Sequence, residues 1–211
     1  MPIVKERSVV MASRTTNDQV SKKESGSGST RDRLLAVAIE LFTTQGYGGT
    51  SLREIAERLS VSKAAIYYHF RTKEDIARVI VEQIMEVNGG IADRLTVAGK
   101  DTEAWQRAFD QIIEIALTNR RLFMVWDRND DAFQKLFADD PVLGPRIEAQ
   151  GEPLAALFAD PSLPPADRIR LGCAFGAMMG PLVMYTSFYE DLDADVLREH
   201  IRTTVATLLR G

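Results

Sequence analysis

The stretch TSLREIAERLSVSKAAIYYHFRTKEDI, residues 50–76, decides the reading of this chain. Ser51 precedes an apolar stripe of Leu52, Ile55, Ala56 and Leu59 at spacings of three and four, the period of one buried helix face. Glu54 stands three residues after Ser51, so hydroxyl and carboxylate are placed to satisfy each other's orphan amides as a capping box. A turn follows at Ser60-Val61. Ser62 then serves as the N-cap of a second short helix running through Ala64, Ala65, Ile66, Tyr67, Tyr68 and His69 to Phe70. A helix of about eight residues, a turn of three or four and another short helix form the layout in which one helix braces across a DNA backbone while the next enters the major groove.

The flanks extend the helical pattern in both directions. Upstream, Leu34, Leu35, Ala38, Ile39, Leu41 and Phe42 share a face, with Thr30 as expected N-cap and Gly46 as expected stop. Tyr47, just beyond, reads as a core residue. Downstream, a fourth helix starts near Thr72 and carries Ile76, Val79, Ile80, Ile84 and Val87, with Gly89-Gly90 expected to perturb it. It is expected to connect two domains. Further helices are expected near 102–119, 120–137, 144–158, 166–188 and 193–209, separated by Asp140-Pro141 and by Pro161 to Pro165. No segment alternates like a strand and no fixed-period repeat or long heptad seam is present, so the fold class is all-α. Residues 13–30 are polar and rich in Ser, Thr and Gly, which makes 1–30 an expected flexible arm. Its Arg14, Lys22 and Lys23 could brush phosphates, but the preferred reading is an idle tail.

If Val61, Ile66 and Phe70 pin the second short helix inward, its other face shows Ser62, Lys63, Ala64, Ala65, Tyr67, Tyr68 and His69. Such a surface suits DNA. Lys63 offers an ammonium to phosphate or guanine, the tyrosine hydroxyls and His69 can bond phosphate oxygens, and the two alanines allow close approach to bases. Arg53 is equally consistent with a solvated charge, and Ser51 is a cap before it is a phosphate contact.

This segment, preceded by AIELFTTQGYGG, closely resembles the signature of the TetR family of bacterial regulators over roughly residues 31–79, about a quarter of the chain. The matching elements are Tyr67-Tyr68-His69-Phe70, a Tyr-x-His-Phe ending of the recognition helix, and Lys73, which in that family sits at the start of the fourth helix against the DNA backbone. Ser60 departs from the pattern, since glycine is common at that turn; a left-handed serine there would cost on the order of 1 kcal/mol. The resemblance implies a three-helix DNA-binding domain over 31–79 and a helical effector-binding and dimerisation domain over 80–211. It implies a homodimer through the last two helices, which would pack with their copies as a four-helix bundle. Leu171, Ala174, Phe175, Met178, Leu182, Val183 and Tyr185, with Gly172, Gly176 and Gly180, and Val196, Leu197, Ile201, Val205, Leu208 and Leu209 permit this. It further implies that double-stranded operator DNA is released when a small molecule biases the two domains through the fourth helix. Trp105, Phe109, Phe123, Trp126, Phe137, Met178 and Met179 are candidate lining for a largely apolar effector, although each taken alone reads first as ordinary core.

Composition bounds the alternatives. With 45% hydrophobic and 27% charged residues in 211, the chain can bury a core without staples, and no apolar run approaches the roughly 20 residues of a membrane span. We therefore expect a cytoplasmic protein with no membrane partner. The single cysteine, Cys173, excludes disulfides within the chain and is expected to be a small buried side chain. Net charge is −4 but uneven: residues 1–30 and 31–79 each carry +2 and residues 80–211 carry −8, so the acid excess lies away from the proposed DNA reader. Only His69 and His200 are histidines, and no metal spacing, Walker loop or nucleophile elbow is present. Neither an enzyme nor a cofactor is expected. The competing reading is a DNA-binding factor of the same fold without a small-molecule effector, controlled by a protein partner or architectural in role.

Overall fold

The computed structural model describes residues 29–188 and 192–210, excluding the side chains of Val183 and residues 185–188. The expected arm therefore lies outside the described residues, as do the Val183 and Tyr185 side chains. The described chain is helical, with no strand among its residues: α1 (Thr30–Gly49), α2 (Leu52–Arg58), α3 (Lys63–His69), α4 (Lys73–Ala98), α5 (Thr102–Thr118), α6 (Arg120–Phe137), α7 (Leu143–Glu148), a 3₁₀ turn at Ala149–Gly151, α8 (Glu152–Ala159), α9 (Pro165–Phe188) and α10 (Ala194–Arg210).

The helix ends explain why so short a segment as 50–72 breaks into defined pieces. Ser51 accepts from the Glu54 amide at 3.2 Å, Ser62 from the Ala65 amide at 3.2 Å, and Thr72 from the Asp75 amide at 3.1 Å. Each satisfies an orphan donor that would otherwise fray the first turn. At Ser51 only half of the expected capping box forms, because the Glu54 carboxylate accepts instead from the Gln45 side chain at 2.7 Å. The reciprocal boxes form elsewhere, at Ser29 with Asp32 and at Thr72 with Asp75. Ser29 rather than Thr30 is thus the first cap, since its carboxylate partner lies at the matching third position.

Between α2 and α3 the chain closes a Schellman turn: the Ser60 amide reaches the Glu57 carbonyl and the Val61 amide the Ala56 carbonyl, both at 3.0 Å. This places Ser60 in the left-handed region, φ 55°, the conformation the missing glycine would have favoured. The expected stop at Gly46 is present as a break in α1: at φ 82° the helix is interrupted, and a short further turn runs on to Gly49. Other expectations need correction. Gly89-Gly90 do not interrupt α4, whose apolar stripe continues through Ile91, Ala92 and Leu95 and holds the helix by packing. The helix expected over 144–158 is broken by Ala149–Gly151, where Gly151 supplies no side chain to pack.

Two cores organise these helices. The first joins Leu34, Ala38 and Phe42 of α1, Ile55 of α2, Ile66 of α3 and Ile76 to Met85 of α4 with Val125, Phe133 and Phe137 of α6 and Leu143 and Ile147 of α7. The second joins Ile91 and Leu95 of α4 to Trp105, Phe109, Ile112 and Ile113 of α5, Leu171, Ala174 and Met178 of α9, and Leu197, Ile201 and Val205 of α10. The first core therefore crosses residue 79, where the family-like stretch ends. Across the second, Arg198 meets Glu114 at 2.9 Å, and Arg202 lies 3.4 Å from Asp110 and 3.5 Å from Glu114, stitching α10 to α5.

Cys173 is exposed, contrary to expectation. Leu171, Ala174, Met178 and Leu182 take the inward stripe of α9, and helical geometry turns position 173 to the opposite side with Ile169, Gly176 and Met184. No described helix is long and apolar enough to cross a membrane.

Candidate nucleic-acid interface

Helix α3 has seven residues, too few to hold itself in water, so its orientation is fixed by what it buries. Ile66 is fully buried and Phe70 nearly so, both in the first core, while Ala56 of α2 is small and buried where the helices cross. Those anchors leave Ser62, Lys63, Ala64, Tyr67 and Tyr68 exposed and Ala65 and His69 half-buried. Tyr68 is 85% exposed, with Tyr67 beside it at 45%. Its ring neighbour among the described residues is His69, edge-on at 5.0 Å. Lys63 places its ammonium 5.7 Å from the Tyr67 ring centre, one helical turn away, so a cation and a phenol tip share one face.

The remaining expected residues divide by environment. Ser51 is exposed but commits its hydroxyl to the α2 cap. Arg53 pairs with Glu57 at 2.7 Å, both well exposed, and hydrogen bonding to that carboxylate raises its pKa further. Lys73 points into the domain: its ammonium donates to the carbonyls of Tyr47 at 2.7 Å and Thr50 at 2.9 Å, and lies 4.1 Å over the Tyr47 ring. Burial lowers its pKa, partly offset by Glu74. A cation with these partners fixes the joint between α1, α2 and α4 that positions α3.

Tyr47, read as core, is half-buried and packs edge-on against Phe42 and Phe133. Its hydroxyl donates to Glu74 at 3.0 Å; burial first, and this bond second, push the phenol well above its ordinary value. Glu74 is held below the usual carboxylate range, first by a backbone amide and then, against burial, by Tyr47 and Thr72. Sequence reasoning missed Arg71, exposed directly after α3 and with no ion pair to its guanidinium among the described residues. Its signal was a cation in the gap between two expected helices. The run Trp126 to Asp131, read from sequence as ligand-orienting polar groups or a solvated loop, is instead part of α6, and its Asn129 is a buried amide that only tertiary structure brings to α1.

The seven candidate effector residues do not converge. Trp105, Phe109 and Met178 are buried in the second core with Phe123 and Met179 packed against it, whereas Phe137 and Trp126 belong to the first. The Trp105 indole donates to the Gly99 carbonyl at 2.8 Å. A cleft of about 470 Å³ between α6 and α7 is lined instead by Gln134, Lys135, Ala138, Gly144, Ile147 and Glu148 with Gln150. A smaller apolar cleft of about 240 Å³ lies between α9 and α10, near Pro181, Leu197 and Ile201. No cluster of three or more His, Cys, Asp or Glu side chains suited to a metal occurs among the described residues.

Residues 34–80 match the family described as bacterial regulatory proteins, tetR family. The chain is 42% identical over 52 residues to the biofilm operon icaADBC HTH-type negative transcriptional regulator IcaR of Staphylococcus epidermidis, covering 25% of this chain and 28% of that protein. It is 47% identical over 53 residues to the HTH-type transcriptional regulator AcrR of Shigella flexneri, covering 25% of each. The match thus spans about a quarter of the length of these curated relatives. They are DNA-binding regulators rather than enzymes. Similarity of fold extends much further. A TetR-family regulator from Streptomyces coelicolor A3 superposes with a TM-score of 0.60 at 21% identity, over 84% of this chain and 89% of that one. The TetR-family regulator PfmR of Thermus thermophilus does so with a TM-score of 0.56 at 22% identity, over 85% and 98%.

Proposed function

We propose that this chain, which carries the tetR-family helix-turn-helix module on the fold of tetR-family regulators, is a ligand-responsive transcriptional repressor that grips a palindromic operator as a dimer and releases it when a small, largely apolar effector binds. The observation that carries the DNA reading is the outward face of α3: Lys63, Tyr67 and Tyr68 stand exposed on a helix whose opposite side is anchored by Ile66 and Phe70. Lys63 and the hydroxyls supply phosphate and base contacts, while Ser62 and Ala64 leave room for the groove wall. Ala65 and His69 border that face, and Arg71 extends its positive charge. Ser51 and Arg53 contribute at the rim, and Lys73 acts by holding the joint rather than by reaching DNA.

Dimerisation is supported by the unpartnered side of α9, where Ile169 is 66% and Met184 44% exposed, with Val196 of α10 at 45%. Open space faces Gly172, Gly176 and Gly180, which permits close helix approach. Two such chains, related by a two-fold axis, would present recognition helices roughly 34–36 Å apart, the spacing of successive major grooves on one side of a duplex. The effector part rests on the likeness to tetR-family regulators. Because Trp105, Phe109 and Met178 are packed with their neighbours, effector binding would have to separate α5 from α9. That same packing favours the second reading, a DNA-binding factor of this fold answering to a protein partner or to none. With cytosolic DNA as its target the protein works in the cytoplasm.

The test is fluorescence anisotropy of the purified chain with fragments of its own promoter, titrated with salt. Binding whose logarithm falls linearly with log salt, at two chains per site, supports the reading. Indifference to all genomic fragments ends it. Screening hydrophobic compounds for a thermal shift, then for release of bound DNA, separates the two regulatory readings.

A further inference from the structure

At Gly46 the backbone of α1 turns to φ 82°, ψ 158°, and the ladder of amides and carbonyls is broken there. A break inside a core leaves polar groups that must find partners elsewhere. They find two side chains: the Thr50 hydroxyl donates to the Gly46 carbonyl at 3.0 Å, and Asn129 supplies the link to α6. Asn129 of α6 is 4% exposed; its amide oxygen accepts from the Tyr47 amide at 2.6 Å, and its nitrogen donates to the Phe42 carbonyl at 2.9 Å and to the Val125 carbonyl of its own helix at 2.7 Å. The side chain thus holds the backbone on both sides of the kink, 82 and 87 residues away in sequence.

What hangs from that kink is the base of the DNA reader. The Tyr47 and Thr50 carbonyls receive Lys73, the Tyr47 hydroxyl reaches Glu74, and Thr50 directly precedes the α2 cap. The placement of α2 and of the start of α4, between which α3 is suspended, therefore depends on the geometry at 46–50. Helix α6 also touches both cores, through Val125, Phe133 and Phe137 on one side and Phe123 on the other.

We propose that Asn129 is a positioning residue for DNA recognition: its carboxamide clamps the Gly46 kink to α6, so that the set of α3 follows the position of α6. This rests on the DNA-binding reading of α3 and names the side chain through which the rest of the molecule reaches it. Hydrogen bonds of this kind are directional, and an apolar side chain of equal size fills the volume without holding the angle.

The experiment compares Asn129→Leu, Gly46→Ala and Ile112→Val with the parent chain, by anisotropy on a promoter fragment that the parent binds and by thermal melting. Gly46→Ala attacks the same clamp from the other side, because a Cβ there meets a positive φ and stands 3.8 Å from the Asn129 oxygen. Ile112→Val destabilises the second core and leaves the clamp alone. Measured below every melting transition, Asn129→Leu and Gly46→Ala should each weaken DNA binding about tenfold or more, the double variant little further because both break one device, and Ile112→Val less than about twofold. Affinity within about twofold of the parent for folded Asn129→Leu, or fully multiplicative losses in the double variant, overturns the proposal. Amide hydrogen exchange at Tyr47 to Thr50 provides a reading independent of DNA. Faster exchange there in Asn129→Leu, which loses the acceptor that holds the Tyr47 amide and both donors, with the second core unchanged, supports the clamp even if no fragment is bound; unchanged exchange refutes it.

Discussion

The two cores are held by different means. Around the first, the N-termini of α1 to α4 are tied by Ser29, Ser51, Ser62 and Thr72, with further polar ties at the Ser60 turn, the Lys73 ammonium and the Asn129 amide, while α6 begins without a side-chain cap. Around the second, long helices meet through Trp105, Phe109, Leu171, Met178, Ile201 and Val205, and the polar ties are the Asp101 and Asp193 side chains at the starts of α5 and α10, the Trp105–Gly99 hydrogen bond and ion pairs near its edge. Short helices tolerate little slack, since each has few residues over which to recover the entropy of ordering. The difference teaches that the proposed DNA-reading segment is set by caps and turns on short helices, while the larger body rests mainly on apolar packing between long ones.

The strongest way to break this contrast is at the centre of the apolar core. Trp105→Ala removes a fully buried ring and orphans the Gly99 carbonyl, so it should cost about 3–5 kcal/mol in denaturant titration. A loss under about 1 kcal/mol would mean that the second core is not packed as described. Next comes the reader's face: Lys63→Ala should leave the melting temperature unchanged and weaken operator binding about tenfold, lowering the salt slope by about one unit if the contact is to phosphate. An unchanged slope together with unchanged sequence preference removes Lys63 from the interface.

A smaller effect lies at Arg78 and Asp140, an ion pair linking α4 to the turn before α7. The Arg78 guanidinium, with the amides of Leu143 and Val142, holds the Asp140 carboxyl far below its usual range. A carboxyl whose folded pKa is depressed stabilises the fold above its unfolded value, near 4, and loses that contribution as pH falls toward the folded one. Asp140→Asn should therefore melt lower than the parent at pH 7, with the gap narrowing as pH falls below about 4. A gap independent of pH would assign the effect to the turn's hydrogen bonds alone. The smallest expected change sharpens the contrast from the reader's side. Ser60→Gly relieves a left-handed serine and should stabilise by up to about 1 kcal/mol, with operator affinity intact.

The same contrast explains what could be read in advance. Ser51, Ser62, Thr72 and the Ser60 turn are written in local sequence, because a cap and its recipient amide lie within three residues; so the helix-turn-helix and its outward face were legible residue by residue. Helix α5 and α6 bounds followed from apolar period alone. Asn129 was not legible, since its partners lie more than eighty residues away and an asparagine in a helix reads as a solvated polar group. Cys173 misled for a related reason: α9 is apolar nearly all round, and period cannot choose the inward side when both sides qualify. The effector lining failed to converge because aromatic residues at helical spacing mark burial, and burial here is split between two cores.

The crossing of residue 79 by the first core sets a rule for anyone who cuts or transplants the reader. A fragment ending with the family-like stretch would bare the face of α1 around Phe42, against which α6 packs with Phe133, together with the stretch of α4 that meets α6 and α7, and it would surrender the amide that braces the bend at Gly46. Chimeras that graft this module onto another regulator will need α6 and α7 to travel with it, or a host helix whose own side chains reproduce that roof.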